Sequence, residues 1–145
     1  IMLGELRDLD SIRLALTAAE TGHLVLATLH TRSAASSIDR LVDVFAAEEK
    51  AQVRTLLAES LQAVVAQVLV RQVNGGRVAA HEVLVATPAV RNLIREGKVA
   101  QLYSAMQTGA AAGMQTLDSC LQGLVRRGVI SVQEARANAR SPEAF

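Results

Sequence analysis

The fold class follows from one stretch of sequence, His23-Leu24-Val25-Leu26-Ala27-Thr28-Leu29-His30. This run of eight residues is mostly apolar, and its content of Val, Leu and Thr favours a β-strand that is buried on both faces. A second apolar run, Ile1-Met2-Leu3, begins the chain, and a helical pattern separates the two runs. Strand, helix and strand in this order predict a βαβ-like unit with a parallel sheet and a right-handed crossover.

The segment between the two runs has the pattern of an amphipathic helix. Its apolar residues recur at helical spacing: Leu9, Ile12, Leu16 and Ala19. Asp8 or Asp10 can cap the start of this helix, and Gly22 stands where a helix C-cap belongs. Because the first run has no polar residues before it, we interpret it as a strand entered midway and expect a fragment of a longer protein. The alternative is that Met2 is the initiator methionine and that Ile1 is one extra residue before it.

Further along the chain the pattern predicts helices, a hairpin and then helices again. Ser33 is expected to cap a short helix, and a longer helix is expected to start near residue 47. The apolar stripe of the longer helix is Val53, Leu57, Leu61, Val64 and Val68, although residues 68–73 also fit a strand. Asn74-Gly75-Gly76 predicts a hairpin turn, with residues 77–86 as the returning strand. The remainder is predicted to be helical, with Thr87 and Thr116 as helix caps. Ser131 with Glu134 predicts a capping box for the last helix.

Composition excludes several classes of function. The net charge is +1, from 15 basic and 14 acidic residues, and only three residues are aromatic: Phe45, Tyr103 and Phe145. Without a strong positive field or stacking platforms, we expect no nucleic-acid partner. The single cysteine, Cys120, excludes an intrachain disulfide and an all-cysteine metal site, and it fits a reducing cytosol. No signal peptide or membrane-spanning run is found in the sequence.

Two groups of polar residues at predicted strand ends could carry chemistry. Glu5 follows the first strand, where a carboxylate can hold a magnesium-bound water or accept a proton from attacking water. The alternative is a solvated carboxylate paired with Arg7, which spacing alone favours. His23 and His30 are about 23 Å apart along an extended strand and on opposite faces, which argues against a shared metal. His30, beside Thr28, could reach a phosphate, or it could be a hydrogen-bonded structural histidine.

Two other polar segments have a functional and a structural interpretation. Residues 89–96 form either a docking helix or an ordinary amphipathic helix, and composition alone favours the second. The pair His81-Glu82 is interpreted as a solvated polar pair on the hairpin. The sequence contains neither a G-x-x-x-x-G-K-[ST] loop nor a G-x-S-x-G elbow.

Several of these motifs resemble those of one family, and together they span essentially the whole chain. Leu3-Gly4-Glu5-Leu6-Arg7-Asp8 resembles the Walker B segment of the secretion ATPase superfamily, and residues 21–31 resemble its histidine box. Residues 89–96 resemble the A-I-R-N-L-I-R-E helix of the pilus retraction, or twitching-motility, branch, with Val90 in place of Ile. Residues 75–82 and 113–118 are also similar to that branch.

The resemblance implies an α/β fold, the C-terminal part of a RecA-like P-loop ATPase domain with a mostly parallel sheet plus a hairpin. Residues 1–87 would belong to the ATPase core, and residues 88–145 would form a helical C-terminal subdomain. It also implies a cytoplasmic homohexamer that uses ATP and Mg²⁺ to drive pilus retraction. The ring would act on an inner-membrane platform protein, at the inner membrane through the pilus machinery, and on pilin indirectly.

The resemblance also implies roles for individual residues. Glu5 would act on magnesium through a water molecule and on the attacking water, His30 would contact the terminal phosphate, and His23 would support the switch. The residues expected to bind nucleotide are Glu5, Arg7, Thr28 and His30. The residues expected to serve retraction rather than nucleotide contact are Arg91, Asn92, Leu93, Ile94, Arg95 and Glu96.

Departures from the family pattern leave other interpretations open. The Walker A loop, the acidic box and the arginine fingers of the family are absent from these 145 residues. We therefore expect that the 145 residues alone do not hydrolyse ATP. A non-catalytic helical docking or assembly module and an accessory, paralogous retraction ATPase are the alternatives. A pilus-extension or type II secretion ATPase ranks lower because one cysteine cannot form the four-cysteine metal site common there. A RecA-like nucleic-acid motor conflicts with the near-neutral charge.

Overall fold

In the computed structural model, which describes residues 1–145, a short parallel strand pair is followed by helices and a long antiparallel hairpin. The strands are β1 (Met2–Leu3), β2 (Leu26–Ala27), β3 (Ala63–Arg71) and β4 (Arg77–Val85). The helices are α1 (Leu9–Glu20), α2 (Ala34–Asp43), α3 (Lys50–Ser60), α4 (Pro88–Arg95), α5 (Leu102–Thr108), α6 (Leu117–Arg126) and α7 (Val132–Asn138). None of these helices is both long and apolar enough to cross a membrane. The predicted α/β class is confirmed.

The first unit is the predicted strand, helix and strand, but its sheet is much smaller than expected. β1 and β2 pair in parallel, with Met2 opposite Leu26 and Leu3 opposite Ala27. The other residues of 23–30 are not part of a β-strand. The two strands are not buried, since Met2 is 80% and Leu26 57% exposed. The prediction of a buried strand is wrong here because the two short strands pair only with each other and lack the covering helices on both faces that bury a parallel sheet.

The helix that connects β1 and β2 begins as predicted. Asp8 is the N-cap of α1, and its Oδ2 accepts a hydrogen bond from the Ser11 N–H at 2.9 Å. The donated backbone N–H and the Ser11 hydroxyl lower the pKa of Asp8 from its usual 3.8, because both stabilise the ionised carboxylate. Gly22 follows the helix with a φ of 99°, in the left-handed region that glycine adopts without strain.

The stability that the Asp8 cap provides is expected to depend on pH. Because the folded-state pKa lies below the unfolded value of 3.8, the contribution is present above that value and is lost as pH falls through the folded-state pKa. Asp8→Asn keeps an acceptor at the cap but cannot titrate. Unfolding curves measured between about pH 2 and 5 should therefore show that the free energy of unfolding depends less on pH in Asp8→Asn than in the parent. Equal pH dependences would contradict this expectation.

The predicted end of the third helix is wrong. α3 ends at Ser60, Leu61 is extended (φ −60°, ψ 134°), and Val64 and Val68 lie in β3 instead of on a helical stripe. A spacing of four residues is also two full repeats of a strand, so the helical stripe and the strand alternation coincide at these positions. The even-numbered residues of β3 face inward, whereas its odd-numbered residues are exposed.

The hairpin is formed as predicted and contains most of the strand pairing. β3 and β4 pair antiparallel from Ala63 opposite Val85 to Arg71 opposite Arg77. Gly75 and Gly76 in the turn have φ of 89° and 76°, which explains why glycine stands at both positions. Most of the strand pairing in this chain therefore lies in the hairpin, since the parallel pair of β1 and β2 extends over only two residues.

The C-terminal helices begin at the predicted caps, with one difference. Thr87, Thr116 and Ser131 each accept a hydrogen bond from a backbone N–H in the first turn of the helix that follows. The predicted capping box is only half formed, because the Glu134 carboxylate accepts the N–H of Arg71 at 2.9 Å instead of returning to the N-cap. Glu134 thereby attaches α7 to the end of β3.

Two apolar clusters hold these elements together. The larger contains 18 buried residues from α1 to α5, their flanking segments and β4, and Ile38, Leu84 and Ile94 are among its fully buried members. The smaller joins the outer part of the hairpin to α6 and α7. The larger cluster contains residues from both sides of residue 87, and the domain boundary there stays a prediction.

Candidate strand-end site

Polar side chains meet where β1 and β2 end. Glu5 follows β1 and His30 follows β2, and the parallel pairing brings the carboxyl ends of both strands to the same edge. Glu5 Oε1 lies 2.6 Å from Arg7 Nε and 3.3 Å from His30 Nε2. The structure therefore brings together three of the predicted site residues around one carboxylate.

The backbone around Glu5 is fixed by Thr28. The Leu6 N–H donates to the Thr28 carbonyl at 3.0 Å, and the Thr28 hydroxyl donates to the carbonyl of Gly4. These bonds hold both residues that flank Glu5 against the end of β2. Thr28, predicted to contact nucleotide, thus orients the loop that carries the carboxylate.

Two neighbouring side chains keep Glu5 ionised. The Arg7 guanidinium, by hydrogen bond and by charge, lowers the pKa of the Glu5 carboxyl below its usual 4.5, and His30 contributes in the same direction. The same contact raises the pKa of Arg7. Glu5 is therefore a carboxylate at neutral pH, able to accept a proton or a hydrogen bond from water. The side chains of Arg7 and His30 are 73% and 75% exposed and accessible to an anionic ligand.

His23 lies apart from this cluster. Its Nδ1 is 3.3 Å from the Ala18 carbonyl and 3.4 Å from the Thr21 hydroxyl, both at the C-terminal end of α1. These contacts fix the imidazole at the entrance to the second apolar run, whereas His30 lies at its exit. The supporting role predicted for His23 stays a prediction.

The carboxylate at the strand end fits an indirect magnesium contact better than a closed metal site. No group of three or more His, Cys, Asp or Glu side chains that could hold a metal ion occurs in residues 1–145. Mg²⁺ usually keeps several waters and uses one or two carboxylates together with substrate phosphates. Glu5, the only carboxylate contacting Arg7 and His30, suits that water-mediated arrangement.

An open polar groove continues from His30 along α2. No hydrophobic residue lines it; its residues are His30, Thr31, Arg32, Ser36, Asp39, Arg40 and Asp43. The N-terminus of α2 begins beside it, with Ser33 as the N-cap. A helix N-terminus favours negative charge, so this end of the site is suited to phosphate oxygens.

The six residues predicted for the retraction helix divide into two groups in α4 and the residue after it. Ile94 is fully buried, Leu93 packs against the larger apolar cluster, and Arg91 Nη1 donates to the carbonyls of Ala58 and Glu59 at 2.6 and 2.8 Å. The exposed members are Asn92, Arg95 and Glu96. The exposed group offers a surface to a partner, while the buried and half-buried residues hold α4 in place.

The sequence interpretation missed the role of Glu82. Instead of being solvated, Glu82 is 5% exposed, and its Oε1 accepts the N–H of Ala34 at 2.9 Å. The strand alternation contained the signal, because Glu82 stands between Ala80 and Leu84 on the inward face of β4. His81, on the other face, hydrogen-bonds the Gln67 side chain at 3.0 Å.

Comparison with known proteins finds close relatives over the whole chain. The type IV pilus retraction ATPase PilT of Pseudomonas aeruginosa is 66% identical over 145 residues, which are all of this chain and 42% of that protein. A twitching motility protein of Neisseria gonorrhoeae is 58% identical over 146 residues, which cover this chain fully and 39% of that protein. The chain therefore spans about two fifths of the length of these curated relatives.

The structural comparison agrees with the sequence comparison. A solved structure of the pilus retraction motor PilT with bound ADP superposes with a TM-score of 0.89 at 43% identity and covers all of this chain and 40% of that one. The superposition includes the backbone of β1, β2 and the loops that follow them. A family model for type II/IV secretion system proteins matches residues 1–75, more than half of the sequence, and the chain therefore belongs to that family.

Proposed function

We propose that these residues are part of an ATP-driven motor that retracts type IV pili and powers twitching motility. The observation that carries the proposal is the Glu5 carboxylate, held by Arg7 and His30 where two parallel strands end. Similarity over the full chain to pilus retraction ATPases, one of them solved with ADP, supports the same function.

In this proposal the cluster acts on the terminal phosphate of ATP. Glu5 orients the attacking water and holds a water of the magnesium ion, and the ion, when bound, neutralises charge on the phosphates. His30 and Arg7, both exposed beside the carboxylate, contact phosphate oxygens. Thr28 keeps the loop of Glu5 in place.

The proposal extends to the assembly in which the motor works. The parent protein forms a homohexamer, binds an inner-membrane pilus platform protein and acts on pilin through it, on the cytoplasmic side. The exposed residues Asn92, Arg95 and Glu96 provide one surface for transmitting the motion, since Arg91 and Ile94 fix the helix that carries them.

Two other functions remain as alternatives. A helical docking module is favoured by the well-packed α4 with its exposed polar face, and it predicts no nucleotide affinity. An accessory retraction ATPase predicts hydrolysis, but pilus retraction would then require a second ATPase. Titration with a fluorescent ATP analogue distinguishes the motor from the docking module, which should not bind it. Twitching motility of a strain with this gene as its only retraction ATPase distinguishes the motor from the accessory ATPase, which should not support motility alone.

The deciding experiment is steady-state ATP hydrolysis by the full-length protein that contains these residues. The proposal expects turnover that depends on Mg²⁺ from a hexamer whose mass is measured by light scattering. A folded hexamer that neither binds nor hydrolyses ATP would overturn the motor function and favour the docking module.

The 145 residues alone are expected to show no ATP turnover. They contain no G-x-x-x-x-G-K-[ST] loop, and phosphoryl transfer in P-loop enzymes needs the backbone cradle, lysine and magnesium-binding hydroxyl of that loop. Phosphate release by the purified chain, measured beside its Glu5→Gln variant, tests this. Turnover that disappears in the variant would refute the expectation, whereas equal release from both would indicate a contaminating ATPase.

A further inference from the structure

Glu82 is a buried carboxylate that core packing does not explain. It stands on the inward face of β4 between Ala80 and Leu84, and all three residues are buried. Burying a carboxylate costs free energy unless it is hydrogen-bonded, and an apolar residue of similar volume often stabilises as well or better. The presence of glutamate at this position therefore indicates a role other than stabilising the core.

The partner of Glu82 is the first residue of α2. Glu82 Oε1 accepts the Ala34 N–H at 2.9 Å, although the two residues are 48 positions apart. α2 already has a local capping box, in which Ser33 Oγ accepts from the Ser36 N–H and Ser36 Oγ accepts from the Ser33 N–H. Since the local cap is in place without Glu82, the contribution of Glu82 is to attach the start of α2 to the hairpin.

The start of α2 determines where His30 lies. Only three residues separate His30 from Ala34, and one of them, Thr31, shares a hydrogen bond between its hydroxyl and that of Ser37 on α2. A displacement of the N-terminus of α2 would therefore move His30, whose Nε2 is 3.3 Å from the Glu5 carboxylate. Misplacing such a group by about 1 Å can cost about a hundredfold in rate.

The neighbours of Glu82 on β4 are attached to the C-terminal helices. Gln115 Nε2 donates to the His81 carbonyl at 2.9 Å, and Gln115 and Val83 exchange two backbone hydrogen bonds at 2.9 and 3.1 Å. Gln115 directly precedes Thr116, the N-cap of α6. Residues 81–83 thus contact residues 30–34, here called the His30 segment, through the Glu82 side chain. They contact the start of α6 through the backbone.

We propose that Glu82 is a positioning residue for ATP hydrolysis, which holds His30 relative to Glu5 and joins the His30 segment to the C-terminal helices. Glu82 acts through Ala34 and α2. The proposal rests on the proposed motor function, because the site that Glu82 positions is the one assigned there to the terminal phosphate.

The test compares Glu82→Leu with Glu134→Leu in the full-length protein. Both changes remove a carboxylate that accepts a distant backbone N–H at 2.9 Å, but the Glu134 bond leads to Arg71 and not to His30. For Glu82→Leu we expect kcat to fall by about 10- to 100-fold while KM changes by less than about twofold, and for Glu134→Leu we expect kcat to be retained. Glu82→Gln, which keeps an acceptor oxygen, is expected to restore most of kcat.

Amide hydrogen exchange of residues 30–37 gives a second readout that does not need turnover. Faster exchange of this segment in Glu82→Leu, but not in Glu134→Leu, supports the positioning role. If the parent hydrolyses ATP and both variants match it in kcat and exchange, the positioning role is refuted while the motor function stands. If the parent does not hydrolyse ATP, the motor function fails, and equal exchange in the two variants refutes the positioning role separately.

A variant of the donor keeps the proposal testable if Glu82→Leu does not fold. Ala34→Pro removes the same hydrogen bond from the other side, at the first helical position, which proline suits. The preceding Ser33 is extended, as a residue before proline must be. The same fall in kcat is expected, and an unchanged kcat in folded Ala34→Pro protein would overturn the proposal.

Discussion

Replacing Glu5 with Gln is expected to lower kcat for ATP hydrolysis by about a hundredfold or more in the full-length protein that contains these residues. Gln preserves the size of the side chain but carries no negative charge, so it can neither accept a proton nor bind a magnesium-bound water as strongly. The parent residue is ionised at neutral pH, because Arg7 lowers the pKa of its carboxyl. Phosphate release as a function of ATP concentration measures the effect.

A matched substitution shows whether the loss is specific to the site. Asp10→Asn removes the same charge from an exposed position in the first turn of α1, so it is expected to leave kcat within about twofold of the parent. Equal turnover in Glu5→Gln and the parent would remove Glu5 from the reaction. Similar losses in Glu5→Gln and Asp10→Asn would indicate an effect of net charge instead.

Replacing Ile94 with Ala is expected to lower the free energy of unfolding by about 2–5 kcal/mol. Ile94 is fully buried in the larger apolar cluster, between α4 and the elements that pack on it. Truncation removes three carbons and leaves a cavity that fixed neighbours cannot fill. Denaturant unfolding of the full-length protein measures the change, taken from the transition in which the region around Ile94 unfolds.

The same helix provides the control, because its exposed residues should behave differently. Arg95→Ala is expected to change the free energy of unfolding by no more than about 0.5 kcal/mol, since Arg95 is exposed and makes no ion pair. If the exposed face of α4 transmits the motion, Arg95→Ala should impair twitching motility while ATP turnover continues. Normal motility in Arg95→Ala cells would exclude Arg95 from that surface.

Features that depend on neighbouring residues could be predicted from the sequence. The caps at Asp8, Ser33, Thr87 and Thr116 are hydrogen bonds between residues three positions apart, so the pattern at each helix start contains the information needed. The juxtaposition of Glu5 with His30 was also predictable, because carboxyl ends of parallel strands meet at one edge.

Features that depend on distant residues could not be predicted in this way. Glu82 accepts from a residue 48 positions away, Glu134 from one 63 away and Asp118 from one 22 away. The local sequence does not identify these distant donors, although the strand alternation places Glu82 on the inward face of β4. The start of β3 was missed for another reason, since a spacing of four residues satisfies both the helical and the strand period.

The bond from Arg91 to the end of α3 has a consequence for how this region is made. Arg91 donates to the carbonyls of Ala58 and Glu59, and the last turn of α3 contains no basic residue of its own. A ribosome synthesises α3, the whole hairpin and then α4, so those carbonyls have only water as a partner until the chain has grown by more than thirty residues. Because Arg91 is synthesised after α3 and the hairpin, this cap on the end of α3 can form only after α4 has left the ribosome.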